Sequence, residues 1–395
     1  MSTQQIDPAR LAASQNRPAP VRVIRILGSL DVGGAEQRSL ELLPRLVAAG
    51  VIPHFVTVSG RRGSLASEAE RLGASVHPLP IDLRFPLRFL RLLRRIRPRA
   101  VHSDLATFSG VPLFIAALAG VPVRIAHFHS DGDGREDTRR RRAQRAVMRK
   151  LIAVSATDII GVAPGALTYG YQPSWTSDPR CRVVANGLDL NRLRRPSDFD
   201  LRAAVGAAAG ELVCLCIGRP DPVKRRPMLP AIVAALQTGG IAARAVLVGP
   251  RDPDDDAEVL EAARAHGVAD RVHLLGPRDD VGTLLQQADV LIHPARREGL
   301  PGVVLEAVGL GTPVVASDLP GVRFIGEHLT GLTMVDLAAP PEAWAGAVQA
   351  LGLRPGRPHG TEDALRRFAS SVFSLEAAMN RYLTLYRARS DGGRR

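Results

Sequence analysis

Residues 296–321 read RREGLPGVVLEAVGLGTPVVASDLPG, and the reading of the whole chain turns on them. The apolar triplet Val290-Leu291-Ile292 ahead of them reads as a buried strand. A Gly/Pro turn follows, and then a short helix is expected from about Gly302 to Leu310. Two carboxylates mark this unit, Glu298 in the loop and Glu306 just over one helical turn past Gly302. Pro301 has the fixed φ that suits a first helical position. Glycines 299 and 302 keep side chains off the loop, so the free N–H groups of Gly302 and Val303 can meet a phosphate in the field of the helix N-terminus. A carboxylate beside them can accept hydrogen bonds from the paired hydroxyls of a ribose or another sugar. A nucleotide sugar carries those parts in that order. Two arbitrary glutamates would more often only cap and solvate a helix; the Gly/Pro frame argues against that here.

Outward from this stretch, 395 residues are too many for one ordinary core and suit two domains. No run approaches the roughly 18 apolar residues of a membrane span. The longest, Val111 to Val123, is interrupted by Pro112 and Pro122. Residues 1–20 have no apolar centre and read as a disordered tail, as do 389–395, so a cytoplasmic protein is expected. Cys181, Cys214 and Cys216 make no zinc pattern, and reduced thiols are expected. A net charge of +13 suits an anionic partner: nucleotide, anionic lipid or nucleic acid. With 4% aromatic residues there are few platforms on which bases could stack, and no nucleic-acid partner is expected.

Val21 to Gly28 reads as a first strand running into Gly33-Gly34 and a helix; this is neither a GxGxxG fingerprint nor a P-loop. Strands and helices then alternate in the rhythm of doubly wound parallel sheets. The segment 84–99 sets Phe85, Phe89, Leu92, Leu93 and Ile96 on one stripe beside arginines, to pack on the sheet or lie on an anionic membrane. A strand ending in His127-Phe128-His129 should point into the ligand crevice. Gly218-Arg219 and Lys224 follow the second domain's first strand, LVCLCIG. Asp254, Asp255 and Asp256 open a helix whose dipole they complement, so no metal is assigned to them.

The pattern Glu298-Gly-Leu-Pro-Gly-Val-Val-Leu-Glu306-Ala, followed by Gly311-Thr312-Pro313-Val314-Val315, resembles the paired-glutamate signature of the retaining glycosyltransferases of family 4. The resemblance extends from Val21 to about Tyr386. It implies an α/β chain of the GT-B fold, two Rossmann-like doubly wound domains facing across a cleft. An acceptor domain would span 21–187 and a donor domain 188–373, with a final helix at 374–388 returning to the first. It also implies a nucleotide-sugar donor, a UDP-sugar by preference, and a glycan or lipid-linked acceptor in cell-surface polysaccharide synthesis. No cofactor or metal is implied, and contact with the inner face of the membrane is compatible with it.

In that scheme Arg219 and Lys224 neutralise the diphosphate with the amides of Gly302 and Val303, Gly33 and Gly34 line the crevice, and the loop carrying Arg278 lies along the base. Glu306 holds the ribose, Glu298 the transferred sugar, and His129, or His127 as second choice, its remaining face. The leaving phosphate takes the acceptor proton, so no side-chain base is named. Arg225 stands where glycine is usual, Phe324 where many relatives have glutamate, and Ala295 where many have serine. Two other readings stay open: a nucleotide-sugar epimerase or hydrolase of the same fold, and a non-catalytic basic protein that binds membrane or nucleic acid.

Overall fold

Short apolar runs alternate with helices until, in a computed structural model that describes residues 19–388 except 32, 133, 135, 196 and 357–359, they have assembled two parallel sheets. The expected tails at 1–20 and 389–395 lie outside the described residues, save Ala19 and Pro20. The first sheet is laid down by β1 (Val21–Leu27), α1 (Gly34–Ala48), β2 (Val51–Thr57), α2 (Ala66–Arg71), β3 (Ser75–Pro78), α3 (Phe85–Ile96), β4 (Ala100–Ser103) and α4 (Gly110–Leu118). It continues with β5 (Val123–Phe128), α5 (Arg139–Ser155), β6 (Asp158–Gly161), α6 (Pro164–Gly170) and β7 (Cys181–Val183). Its strand order is β3-β2-β1-β4-β5-β6-β7.

After α7 (Leu201–Ala204) the second sheet takes β8 (Leu212–Ile217), α8 (Met228–Thr238), β9 (Ala243–Val248), α9 (Pro253–Ala265), β10 (Val272–Gly276), α10 (Val281–Gln287), β11 (Val290–His293) and α11 (Gly302–Leu310). It ends with β12 (Val314–Ser317), α12 (Pro320–Gly326), β13 (Leu332–Val335) and α13 (Pro341–Ala350), in the order β10-β9-β8-β11-β12-β13. Strands this short and apolar on both faces suit parallel sheets covered by helices. Each order reverses at its first strand, β1 or β8, and ligands of such sheets bind outside the carboxyl ends there.

The chain passes between the domains twice, and the two passages run side by side. Leu188 bridges Ser374, with the Leu188 N–H donating to the Phe373 carbonyl at 3.0 Å. Beyond α14 (Thr361–Ala369), α15 (Leu375–Arg387) starts on the Ser374 hydroxyl, which accepts from the Ala377 N–H. Its Leu375, Ala378, Tyr382, Leu385 and Tyr386 enter the core formed by Val23, Leu42, Val51 and Val123 of the first domain.

On α3, Phe85, Phe89, Leu92, Leu93 and Ile96 are buried against the sheet core while Arg91, Arg94 and Arg95 face solvent, so the apolar stripe packs inward. Asp252, one residue ahead of the acidic triplet, caps α9, and Asp255 and Asp256 instead meet the buried guanidinium of Arg226 at 2.8 and 3.7 Å. All three cysteines are free, and burial pushes the Cys214 thiol up to about 12 and Cys216 up to about 11. Among the described residues, no helix is long and apolar enough to cross a membrane.

Candidate active site

The central stretch folds as its punctuation dictates. β11 ends at His293, α11 runs from Gly302 to Leu310, and Gly311 closes it in the left-handed conformation at φ 85°. Pro301 differs from expectation by one place: it is the N-cap, at φ −71° and ψ 109°, rather than the first helical residue. Gly299 brings the two domains together. A Cβ there would collide with the carbonyl of His129, so the loop carrying Glu298 lies directly on the end of β5 across the crevice.

Lys224 ends a single 3-10 turn, Pro222–Lys224, capped by the Asp221 carboxylate, and its ammonium pairs with Glu298 Oε1. His293 Nε2 lies 3.3 Å from the same oxygen. Burial works to raise the Glu298 carboxyl, but the His293 hydrogen bond and the Lys224 charge outweigh it and hold it at about 2. A cation thus sits beside a carboxylate held in its ionised form, a pair chemically able to meet a phosphate and a hydroxyl. Arg219 is exposed, with no carboxylate partner among the described residues. Arg225 takes the left-handed conformation itself, at φ 52° and ψ 42°, which explains why glycine suits that place. The strain is roughly 1 kcal/mol, and Arg225 Nη1 donates to the Leu337 carbonyl at 3.0 Å.

Glu306 is buried and already engaged. Arg38 Nη2 and Arg192 Nη2 both donate to its Oε1, at 2.7 and 3.0 Å, partners that the sequence reading did not include. Its Oε2 accepts from no protein group among the described residues. Arg278 lies in the loop whose backbone was expected to run along the base. Its guanidinium is held by Asp280 at 2.5 Å and stacked 3.9 Å over Phe199. Gly33 precedes α1 in extended conformation, and a Cβ on Gly34 would point into open space.

Of the two histidines, His127 is sealed from solvent and His129 is the one that reaches the crevice. His129 Nε2 lies 2.6 Å from Asp104, a carboxylate that Arg25 grips at 2.7 and 3.1 Å. His127 Nδ1 lies 3.1 Å from the same carboxylate and 3.0 Å from His102 Nε2, which is itself 3.6 Å from Asp104, and His102 Nδ1 meets the Tyr386 hydroxyl at 2.9 Å. Burial opposes ionisation of Asp104, yet Arg25 and the imidazoles keep it well below the carboxylate range. An ionised carboxylate only accepts, so His129 carries its proton on Nε2. Its Nδ1 is buried and has no hydrogen-bond partner among the described residues. His102, Asp104 and His127 are close enough together to hold a metal ion. With the Arg25 guanidinium already on Asp104, the group fits a hydrogen-bond network rather than a dication.

Asp131, two residues beyond His129, was not singled out from the sequence. Burial first and the Glu298 charge second push its carboxyl up to about 6, and its Oδ1 is buried with no hydrogen-bond partner among the described residues. A raised carboxyl favours the native state protonated, and that contribution, complete below the unfolded value of about 4, fades as pH rises through 6. Asp131→Asn should therefore raise the thermal midpoint at about pH 8 and have little effect near pH 4. Scanning calorimetry showing the same gain at both pH values would contradict this.

Comparison with known proteins fits this geometry. Residues 33–187 match a family described as glycosyl transferase 4-like domain, and residues 211–352 one described as glycosyl transferases group 1. EpsF of Bacillus subtilis, a glycosyltransferase by name, is 29% identical over 346 residues, covering 85% of this chain and 89% of that protein. The capsular polysaccharide biosynthesis glycosyltransferase CapH of Staphylococcus aureus is 23% identical over 338 residues, covering 84% and 90%. In fold, the chain is similar to Anabaena HepE in complex with UDP, with a TM-score of 0.76 at 17% identity, over 92% of this chain and 98% of that one.

Proposed function

The chain belongs to the GT-B glycosyltransferases of the family-4 type, and on that premise we propose that it is a retaining, metal-independent enzyme moving a sugar from a UDP-sugar to a glycan or lipid-linked acceptor. The observation that carries this reading is the meeting, across one crevice, of Lys224 and Glu298 with the N-terminus of α11 on one side and His129 on the other. Similarity to a protein solved with UDP supports the choice of base, and similarity to CapH supports a role in cell-surface polysaccharide synthesis.

Cleaving a sugar from a diphosphate builds negative charge on the leaving group and positive charge on the ring. Lys224, Arg219 and the amides of Gly302 and Val303 answer the first, as fixed donors that need no reorganisation. Glu298, ionised at any working pH, accepts from the sugar hydroxyls, and Glu306 Oε2 accepts from the ribose. His129, partly exposed at the end of β5, offers the sugar a face from the opposite domain. The leaving phosphate takes the proton of the incoming hydroxyl, and the close seating of the two domains at Gly299 keeps water out.

An exposed apolar and arginine-bearing side of the first domain would suit a lipid-linked acceptor at the inner face of the cytoplasmic membrane. α3, α4 and α5 lie side by side and expose Leu87, Phe114, Leu118, Val147 and Val154 among arginines. Failure to sediment with anionic vesicles at low salt would remove that part of the reading.

A thermal-shift screen tests the donor. A saturating UDP-sugar should raise the midpoint by several degrees in buffer containing EDTA, since a ligand of the native state alone stabilises it. No shift with any UDP-, GDP- or ADP-sugar would refute the proposal.

A further inference from the structure

Helices α1 and α11 both open on glycine at the carboxyl edge of their sheets, and their fifth residues, Arg38 and Glu306, pair with each other between domains. Arg38 also holds Glu41 at 2.6 Å. Arg192, from the 3-10 turn Leu190–Arg194, closes the figure by meeting Glu41 at 2.8 Å and Glu306 at 3.0 Å. Two guanidiniums and two carboxylates make a ring with no net charge. It leaves the positive end of α11 uncompensated.

Arg38 is also oddly placed for a mere clamp. Its Nη2 lies 3.7 Å from where a Cβ on Gly302 would stand, so a full cation is held over the first residue of a helix whose N-terminal field repels cations. An anion between Arg38 and the amides of Gly302 and Val303 would turn that repulsion into attraction on both sides.

We propose that Arg38 is a donor-binding residue supplied by the first domain, reaching the phosphates of a nucleoside diphosphate at the N-terminus of α11, so that donor occupancy draws the domains together. The proposal rests on the reading of the crevice as a nucleotide-sugar site. It differs from the roles of Lys224 and Arg219, which belong to the donor domain itself.

Titration calorimetry of UDP, UMP and uridine into the full chain separates a phosphate contact from a structural one. Arg38→Gln should weaken UDP roughly 10- to 100-fold, the size of one charge-assisted hydrogen bond, with a smaller loss for UMP and none for uridine. Arg38→Lys should restore part of the UDP affinity. Arg192→Gln opens the same ring without removing Arg38 and should weaken the three ligands alike. Equal losses for all three ligands in Arg38→Gln, unchanged UDP binding, or a phosphate-dependent loss reproduced by Arg192→Gln would each overturn the proposal. A wild-type chain that binds none of UDP, GDP or ADP would instead remove the crevice reading beneath it.

Discussion

Glu298→Gln is expected to lower kcat by about 10²- to 10⁴-fold while leaving UDP affinity within about threefold. Hydrogen bonds to a charged group contribute about 1.5–3 kcal/mol each, and each 1.4 kcal/mol is tenfold in rate, so losing two in the transition state gives that range. In the proposed scheme the nucleotide does not depend on Glu298, whose carboxylate sits with Lys224 and His293, while Glu306 is the carboxylate assigned to the ribose. The matching change Glu306→Gln should do the reverse, weakening UDP and sparing kcat at saturation. Steady-state kinetics with a donor and acceptor pair, alongside UDP titration, reads both. A Glu298→Gln enzyme that keeps wild-type kcat and loses UDP binding would exchange the roles of the two carboxylates.

Removing the leaving-group cation should be nearly as severe. Lys224→Met is expected to cost about 10²- to 10³-fold in kcat, the usual size of one lost transition-state donor, and Arg219→Met in the same background should deepen the loss. The variant also alters pH behaviour in a definite direction. Lys224 is one of the groups that hold the Glu298 carboxyl near 2 against its burial, so without it that carboxyl rises. The acid limb of the rate profile should then move to higher pH in Lys224→Met, because Glu298 loses its charge, and so its use as a pure acceptor, at less acidic pH. An unchanged acid limb would mean that His293 alone sets the state of Glu298.

Much of this was legible in the sequence because local grammar fixed it. Gly302 and Gly311 bracket α11 as expected, Pro301 lies one place off, and the β/α alternation yields the two parallel sheets. Lys224 was assigned by the family resemblance, although the sequence did not show that it pairs with Glu298, 74 residues away. The partners of Glu306 were not legible at all. Arg38 and Arg192 lie 268 and 114 residues from it, and periodicity says which face of a helix is apolar but not which helix of another domain it will meet.

Asp104 could have been suspected, since it follows β4 as His129 follows β5, and strand ends are where such folds place their chemistry. Only the adjacency of β1, β4 and β5 brings Arg25, Asp104 and His127 under His129. Arg225, a departure from the family pattern on paper, proves to be a residue in the conformation that glycine would adopt freely.

The account stands or falls on where a donor binds, and a crystal structure of the chain soaked with UDP-sugar in the presence of EDTA would show it. The expected result is a diphosphate between Lys224, Arg219 and the amides of Gly302 and Val303, with the ribose on Glu306 and the sugar hydroxyls on Glu298. A nucleotide bound on any other surface, or a diphosphate in the crevice turned away from Lys224 and α11, would contradict it.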